Sequence, residues 1–377
     1  MEKGRTLSIL HTEASLGWGG QERRILLEAE GMRERGHTVI LAVAPGGILI
    51  EKGRSKGFLV YEVDFRRFAW PVALGRLLQL IRRFQIDVVN THSSLDSWIG
   101  GIAARIARRA VVRTRHLSTS VKGGLNSRIL YGWLADYVVT TCASIIPQLA
   151  AQSRKPLSQF QSVATGVDPQ AIQATEQDAA TFRRDWGLAD TDFVVGTVCV
   201  MRSWKGINDF LEAAALLRDE PNLRWVIVGG GHDARHRKRS FELALQDKVV
   251  FTGPLEPPYA AMKAFDLFAL LSTANEGVSQ SVLQAAFLGK PLLTTPVGGL
   301  PEVCLDGKTG VLVPVSSPEE IAKQVTRLKA NPEFARGMGR LARDRVLTEF
   351  TRKHTLDAME RICTSLLERI SNTNCEK

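Results

Sequence analysis

The chain has 377 residues, of which 44% are hydrophobic and 23% charged, and a formal net charge of +10. That length exceeds one ordinary core and suits two domains of roughly 150–200 residues, while the composition excludes a disordered or fibrous chain. No apolar run approaches the ~20 residues of a membrane span, and five scattered cysteines without a C-x-x-C pair argue against both a disulfide framework and zinc.

The opening MEKGRTLSILHT has no signal-peptide core, because Leu7, Ile9 and Leu10 read as one strand before polarity returns, so a cytoplasmic location is expected. LSILHT then leads through a turn holding Gly17, Gly19 and Gly20 into ERRILLEAEGMRERG, where Ile25, Leu26, Ala29 and Met32 keep helical spacing. HTVILAV follows as a second strand. Glycines at such a turn let backbone N–H groups approach an anion at the positive end of a helix. A plain tight turn is the alternative, and the absence of G-x-G-x-x-G excludes a dinucleotide fingerprint.

The second half repeats this plan. FVVGTVCV leads through MRSWKG into INDFLEAAALLRDE, and LRWVIVGGG returns as a strand. Two doubly wound, Rossmann-like domains of α/β class follow, facing each other across a cleft, with ligands at the carboxyl ends of the strands. The expected boundaries are 1–165 and 166–350. A helix within 351–377, carrying Leu356, Met359, Ile362, Leu366 and Ile370 on one face, should pack back on the N-terminal domain.

Charge divides unevenly between the halves. Residues 1–165 hold 23 Lys and Arg against 12 Asp and Glu, whereas residues 166–377 hold 26 against 27. A field so lopsided suits an anionic partner, either an acidic membrane surface or a phosphorylated acceptor, with solvated helix faces as the bland alternative. Nucleic acid is not expected, since its recognition motifs are missing.

Arg202 and Lys205 stand in the turn of the second half, where a diphosphate would satisfy both cations. Further on, LFALLST reads as a strand, Asn275-Glu276-Gly277 as a turn, and Ser279 onward as a helix. This sets Glu276 at a strand's carboxyl end beside a helix N-terminus. Asp190-Thr191-Asp192 spells a metal-associated D-x-D, but it precedes its strand and reads as a polar turn. His232 and His236 read as structural.

The segment TANEGVSQSVLQAAFLGKPLLTTPVGGLPEV resembles the E-x7-E region of retaining glycosyltransferases of sequence family 4, the group 1 glycosyltransferases of GT-B fold. GWGGQE, RTRHLS, TGVD, RSWKG, VGGG and GKTGVLVP extend the resemblance over nearly the whole chain. It implies that Glu276 meets donor-sugar hydroxyls and that the backbone of Gly277, Val278 and Ser279, after Asn275, meets phosphate. Arg202 and Lys205 would bind the diphosphate, His116 would face the donor sugar, and the base would rest at Thr252–Gly253. Gly19 and Gly20 join the donor-binding set.

The family's second Glu, which holds the ribose, is Gln284 here. Hydrogen bonds to charged groups contribute about 1.5–3 kcal/mol against about 0.5–1.5 for neutral ones, so donor binding should weaken several-fold. The reaction implied is metal-free transfer from a UDP- or GDP-sugar to an envelope glycan or lipid-linked acceptor, of lipopolysaccharide or exopolysaccharide type, at the inner membrane surface. The alternatives are a nucleotide-sugar epimerase of the same architecture and a non-catalytic nucleotide-sugar-binding protein.

Overall fold

The computed structural model describes residues 5–231 and 233–375, without the side chains from 371 onward. His232 lies outside the described residues. The chain divides into two units, one of residues 1–165 with 352–377 and one of residues 166–351.

In the first unit, strands alternate with helices in order: β1 (Ser8–Glu13), α1 (Gly20–Glu34), β2 (Thr38–Val43), α2 (Ile48–Ser55), β3 (Leu59–Glu62), α3 (Trp70–Arg83), β4 (Val88–Thr91) and α4 (Ser94–Ile106). Then follow β5 (Ala110–Arg115), a short α5 (Leu125–Ser127) running into a π-type turn, β6 (Tyr137–Thr140), α6 (Ile146–Ser153) and β7 (Phe160–Ser162). All neighbouring strands pair in parallel, in the order β3-β2-β1-β4-β5-β6-β7. A sheet covered on both faces needs strands apolar on both faces, which is why Val88–Val89, Val111–Val112 and Val138–Val139 occur as uninterrupted pairs. One face packs against α1 and α2, the other against α3 and α4.

The second unit contains α7 (Glu176–Asp185), β8 (Phe193–Val198), α8 (Ile207–Leu216), β9 (Leu223–Val228), α9 (Asp233–Glu242), β10 (Val249–Gly253), α10 (Tyr259–Ala264) and β11 (Leu267–Leu270). It continues through α11 (Gln280–Phe287), β12 (Leu292–Thr294), α12 (Leu300–Val303), β13 (Gly310–Leu312), α13 (Pro318–Ala330) and α14 (Pro332–Glu349). The parallel order is β10-β9-β8-β11-β12-β13. Each sheet reverses its winding once, between β1 and β4 in the first unit and between β8 and β11 in the second. Loops leaving the carboxyl ends of those strand pairs diverge and leave a crevice, the usual ligand position in open α/β sheets.

The last helix, α15 (Arg352–Cys375), belongs to the first unit. Leu356, Met359, Ile362 and Leu366 join the core that holds Ile25, Ala29 and Met32 of α1. The two helices meet at Gly31, where a Cβ would lie 2.3 Å from Leu356 Cδ1, so only glycine allows this approach. Arg35 ties the helices together through Asp357 and Glu360, each at 2.6 Å. Among the described residues no helix is long and apolar enough to cross a membrane.

Candidate active site

In the second unit, β8 and β11 bring Lys205 and Glu276 together although they lie far apart in sequence. Lys205 Nζ donates to Glu276 Oε1 at 2.5 Å, and Ser272 Oγ donates to the same oxygen at 2.7 Å. Glu276 is only 4% exposed, and Oε2 makes no hydrogen bond among the described residues. One carboxylate oxygen is thus pinned while the other carries no such tie. Asn275 adopts the left-handed conformation (φ 61°) just before it, turning the chain after β11.

The loop after β8 is held tightly. Gly206, with φ 69°, stands where a Cβ would lie 1.9 Å from the Leu271 carbonyl oxygen, and Thr273 N–H donates to the Trp204 carbonyl at 2.8 Å. The two loops on either side of the winding reversal are therefore locked to each other. Arg202 is exposed, with its guanidinium 5.3 Å from the Trp204 ring centroid. Gly206 caps α8 without a side chain, which leaves the positive helix end open beside two cations.

The rest of the expected donor site lies at the same edge of this sheet. Helix α11 begins at Gln280, with Ser279 as its cap and Gly277 and Val278 in the preceding turn. The Gln284 side chain is half-buried and makes no hydrogen bond within the described protein. Thr252 and Gly253 close β10 at a register shift, where the Gly253 carbonyl accepts from Gly229 N–H at 2.9 Å. Cys199, just past β8, feels this site: burial pushes its thiol up to about 11, with Lys205 opposing and Glu276 adding to the rise. Asp190–Asp192 forms a turn at the opposite end of β8, with Ala189 N–H donating to Asp192 Oδ2 at 2.8 Å. His236 is buried beside Asn208. Among the described residues no cluster of metal-ligating side chains occurs.

In the glycine turn of the first unit, Gly19 is extended, and its N–H donates to Glu22 Oε2 at 2.7 Å in a capping box; a Cβ on Gly20 would meet nothing within 4 Å. Glu13 faces the same turn, accepting from Ser15 N–H at 2.6 Å and from the Gln21 amide. Burial, with Asp96 nearby, pushes the Glu13 carboxyl up to about 7. Gly19 and Gly20 therefore sit at a turn lined by the protein's own carboxylates, Glu13 and Glu22.

His116 follows β5, half-buried, and its Nε2 lies 3.0 Å from His92 Nδ1. His92 and His11 are the polar residues that sequence reasoning passed over, as is Ser272 behind Glu276. The signal was present: HTE, THS and RHL each place a histidine near the end of a strand in the same sheet.

Residues 178–345 match the family model for glycosyl transferases group 1, and residues 18–171 match that for glycosyltransferase family 4. With these matches spread over its two Rossmann-like units, the chain is a glycosyltransferase of GT-B fold. More particularly, the chain belongs to the family 4, or group 1, glycosyltransferases. N-acetyl-alpha-D-glucosaminyl L-malate synthase of Bacillus anthracis is 24% identical over 359 residues, spanning 90% of this chain and 92% of that protein. D-inositol 3-phosphate glycosyltransferase of Corynebacterium glutamicum is 26% identical, spanning 89% and 85%. In fold the chain is similar to Anabaena Alr3699/HepE, solved in complex with UDP, with a TM-score of 0.85 at 20% identity over 95% of this chain and 100% of that one.

Proposed function

We propose that this glycosyltransferase retains configuration at the anomeric carbon and transfers a sugar from a UDP- or GDP-sugar to an envelope glycan or lipid-linked acceptor without a metal. The observation that carries this reading is the Lys205–Glu276–Ser272 arrangement beside an uncapped helix end. Glu276 Oε2 would bind sugar hydroxyls, Lys205 and Arg202 the diphosphate, and the backbone of Gly277–Ser279 a phosphate oxygen. Gln284 would meet the ribose and Thr252–Gly253 the base.

In the reaction the bond from the anomeric carbon to the diphosphate oxygen breaks, and the acceptor hydroxyl oxygen forms its bond on the same face. The acceptor's proton passes to the departing diphosphate. Charge grows on that leaving group, and fixed cations with a helix dipole stabilise it as it forms. His116 would contact the donor sugar. The Alr3699/HepE complex with UDP supports the choice of nucleotide sugars, and relatives named for L-malate and D-inositol 3-phosphate support an anionic acceptor.

The outer face of α3 adds support for an acidic surface. From 66 to 83 the chain carries Arg66, Arg67, Arg76, Arg82 and Arg83 and no acid, with Phe68 75% and Val72 76% exposed. Sedimentation with anionic vesicles should weaken as salt rises; binding insensitive to salt would contradict this part.

The test of the whole is a thermal-shift panel of UDP-, GDP- and ADP-sugars, followed by transfer assays with and without EDTA and NMR of the product's anomeric configuration. Activity lost on chelation, or an inverted product, would overturn the corresponding element of the reading.

A further inference from the structure

Three strands of the first sheet end near a histidine, and the strand order β1-β4-β5 sets the three rings in a row. His11 Nδ1 lies 2.9 Å from His92 Nε2, and His92 Nδ1 lies 3.0 Å from His116 Nε2. Ring centroids stand 5.2 Å apart at both steps, with the first pair stacked. His11 and His92 are buried. The outer nitrogen, Nδ1 of His116, has no hydrogen-bond partner among the described residues.

We propose that His11 and His92 are positioning residues that fix the orientation and tautomer of His116, so that His116 presents Nδ1–H as a hydrogen-bond donor to the sugar substrate. This rests on the reading of His116 as a sugar contact.

A neutral imidazole has one N–H and one acceptor nitrogen. In a row of three neutral rings the choice at one end therefore fixes the others, because a reversed ring would set two N–H groups or two lone pairs face to face. The inner end decides which way the protons run. His11 Nε2 is buried and unpartnered, and so is Arg24 Nη2. As an N–H, His11 Nε2 would be a buried donor without an acceptor. The nearby anion is Glu28, whose oxygens are engaged by Arg24 Nε at 3.0 Å and Asn90 Nδ2 at 3.2 Å. As a lone pair, His11 Nε2 strands no donor, and a buried unpaired acceptor is better tolerated than a buried unpaired N–H, although Glu28 acts on this ring more strongly than Arg24 does. The protons accordingly run outward: His11 Nδ1–H donates to His92, His92 Nδ1–H donates to His116, and His116 keeps its proton on Nδ1.

The surroundings keep the row uncharged. Burial first, then Arg24 of α1 and Arg113 of β5, hold the His116 imidazole well below its ordinary range, with Arg115 adding to the effect. Burial does the same to His92 and His11, although Glu28 of α1 pulls His11 the other way. Glu13 of β1 and Asp96 of α4 are further ionisable groups on the packed elements, and both carboxyls are raised by burial. A donor at Nδ1 cannot also take the acceptor's proton, which fits a reaction in which that proton leaves with the diphosphate.

The test is 15N NMR of the full-length chain labelled at histidine, without donor or acceptor, using His116→Gln to assign the signal. At neutral pH His116 should carry its proton on Nδ1 and should not titrate between about 5.5 and 8. A proton on Nε2, or titration near the ordinary histidine value, would overturn the proposal. In His92→Ala the freed ring should shift to the Nε2–H form, kcat/KM should fall at least about ten-fold, and added imidazole should restore both. An unchanged tautomer in that variant would also overturn it. If His92→Ala does not fold, the wild-type titration alone decides. The spectra contain no substrate, so they stand or fall separately from sugar transfer, which only the assay reports.

Discussion

The turn after β1 and the turn after β8 occupy equivalent places in two sheets of one plan, yet their chemistry is opposite. After β1, Glu13 accepts from Ser15 N–H and Glu22 from Gly19 N–H, so two carboxylates line the turn that opens α1. After β8, the turn that opens α8 carries two cations instead, Arg202 and Lys205, with Lys205 paired to Glu276. A helix N-terminus is thus only the beginning of an anion site; whether the protein's own carboxylates reach it first decides the outcome.

The largest effect should come from removing the second-unit pair. Lys205→Ala and Glu276→Ala should each lower kcat/KM by about 10²–10³-fold, with the fold retained at a lower melting temperature. Near wild-type turnover in either variant would move the donor site elsewhere and dissolve the contrast.

A smaller effect, on stability, should come from the acidic turn. The Glu13 carboxyl is raised from 4.5 to about 7 in the folded chain, so its contribution is full below about 4.5 and is lost as pH rises through 7. Glu13→Gln should therefore stabilise the protein at pH 8, on the order of 2 kcal/mol, and much less at pH 5. Denaturant midpoints at the two pH values measure this; an equal gain at both would mean that the carboxyl is not protonated in the fold. The depressed histidines carry the opposite sign. Their contribution is present above about 6.5 and is lost as pH falls. With Glu13 removed, the acid loss between about 6.5 and 5 should steepen.

The smallest effect concerns Gln284. Replacement by Glu should tighten nucleotide-sugar binding several-fold, roughly 1 kcal/mol, as read by calorimetry. A marked loss instead would give its amide a different task.

Much of this architecture was legible in the chain. Apolar runs gave the parallel strands, and the stripe from Leu356 to Leu366 announced a helix that had to dock. Lys205 and Glu276 were legible because each sits in a short motif at a strand end. The histidine row was not, since its members lie 81 and 24 residues apart and only the order β1-β4-β5 makes them neighbours. The acidic lining of the glycine turn was hidden for a local reason. Glu22 stands three residues after Gly19, the spacing of a capping box, and a glycine in place of the usual serine or threonine hid that pattern. The strand reading LFALLST also ran too long: β11 stops at Leu270, which frees Ser272 to turn and bind Glu276.

The most direct measurement is titration calorimetry of UDP and GDP into the wild-type chain, Lys205→Ala and Gly20→Ala. The account predicts that whichever nucleotide binds does so at least about ten-fold more weakly to Lys205→Ala, and equally well to Gly20→Ala. Intact affinity in Lys205→Ala together with a loss in Gly20→Ala would place the diphosphate at the acidic turn and contradict it.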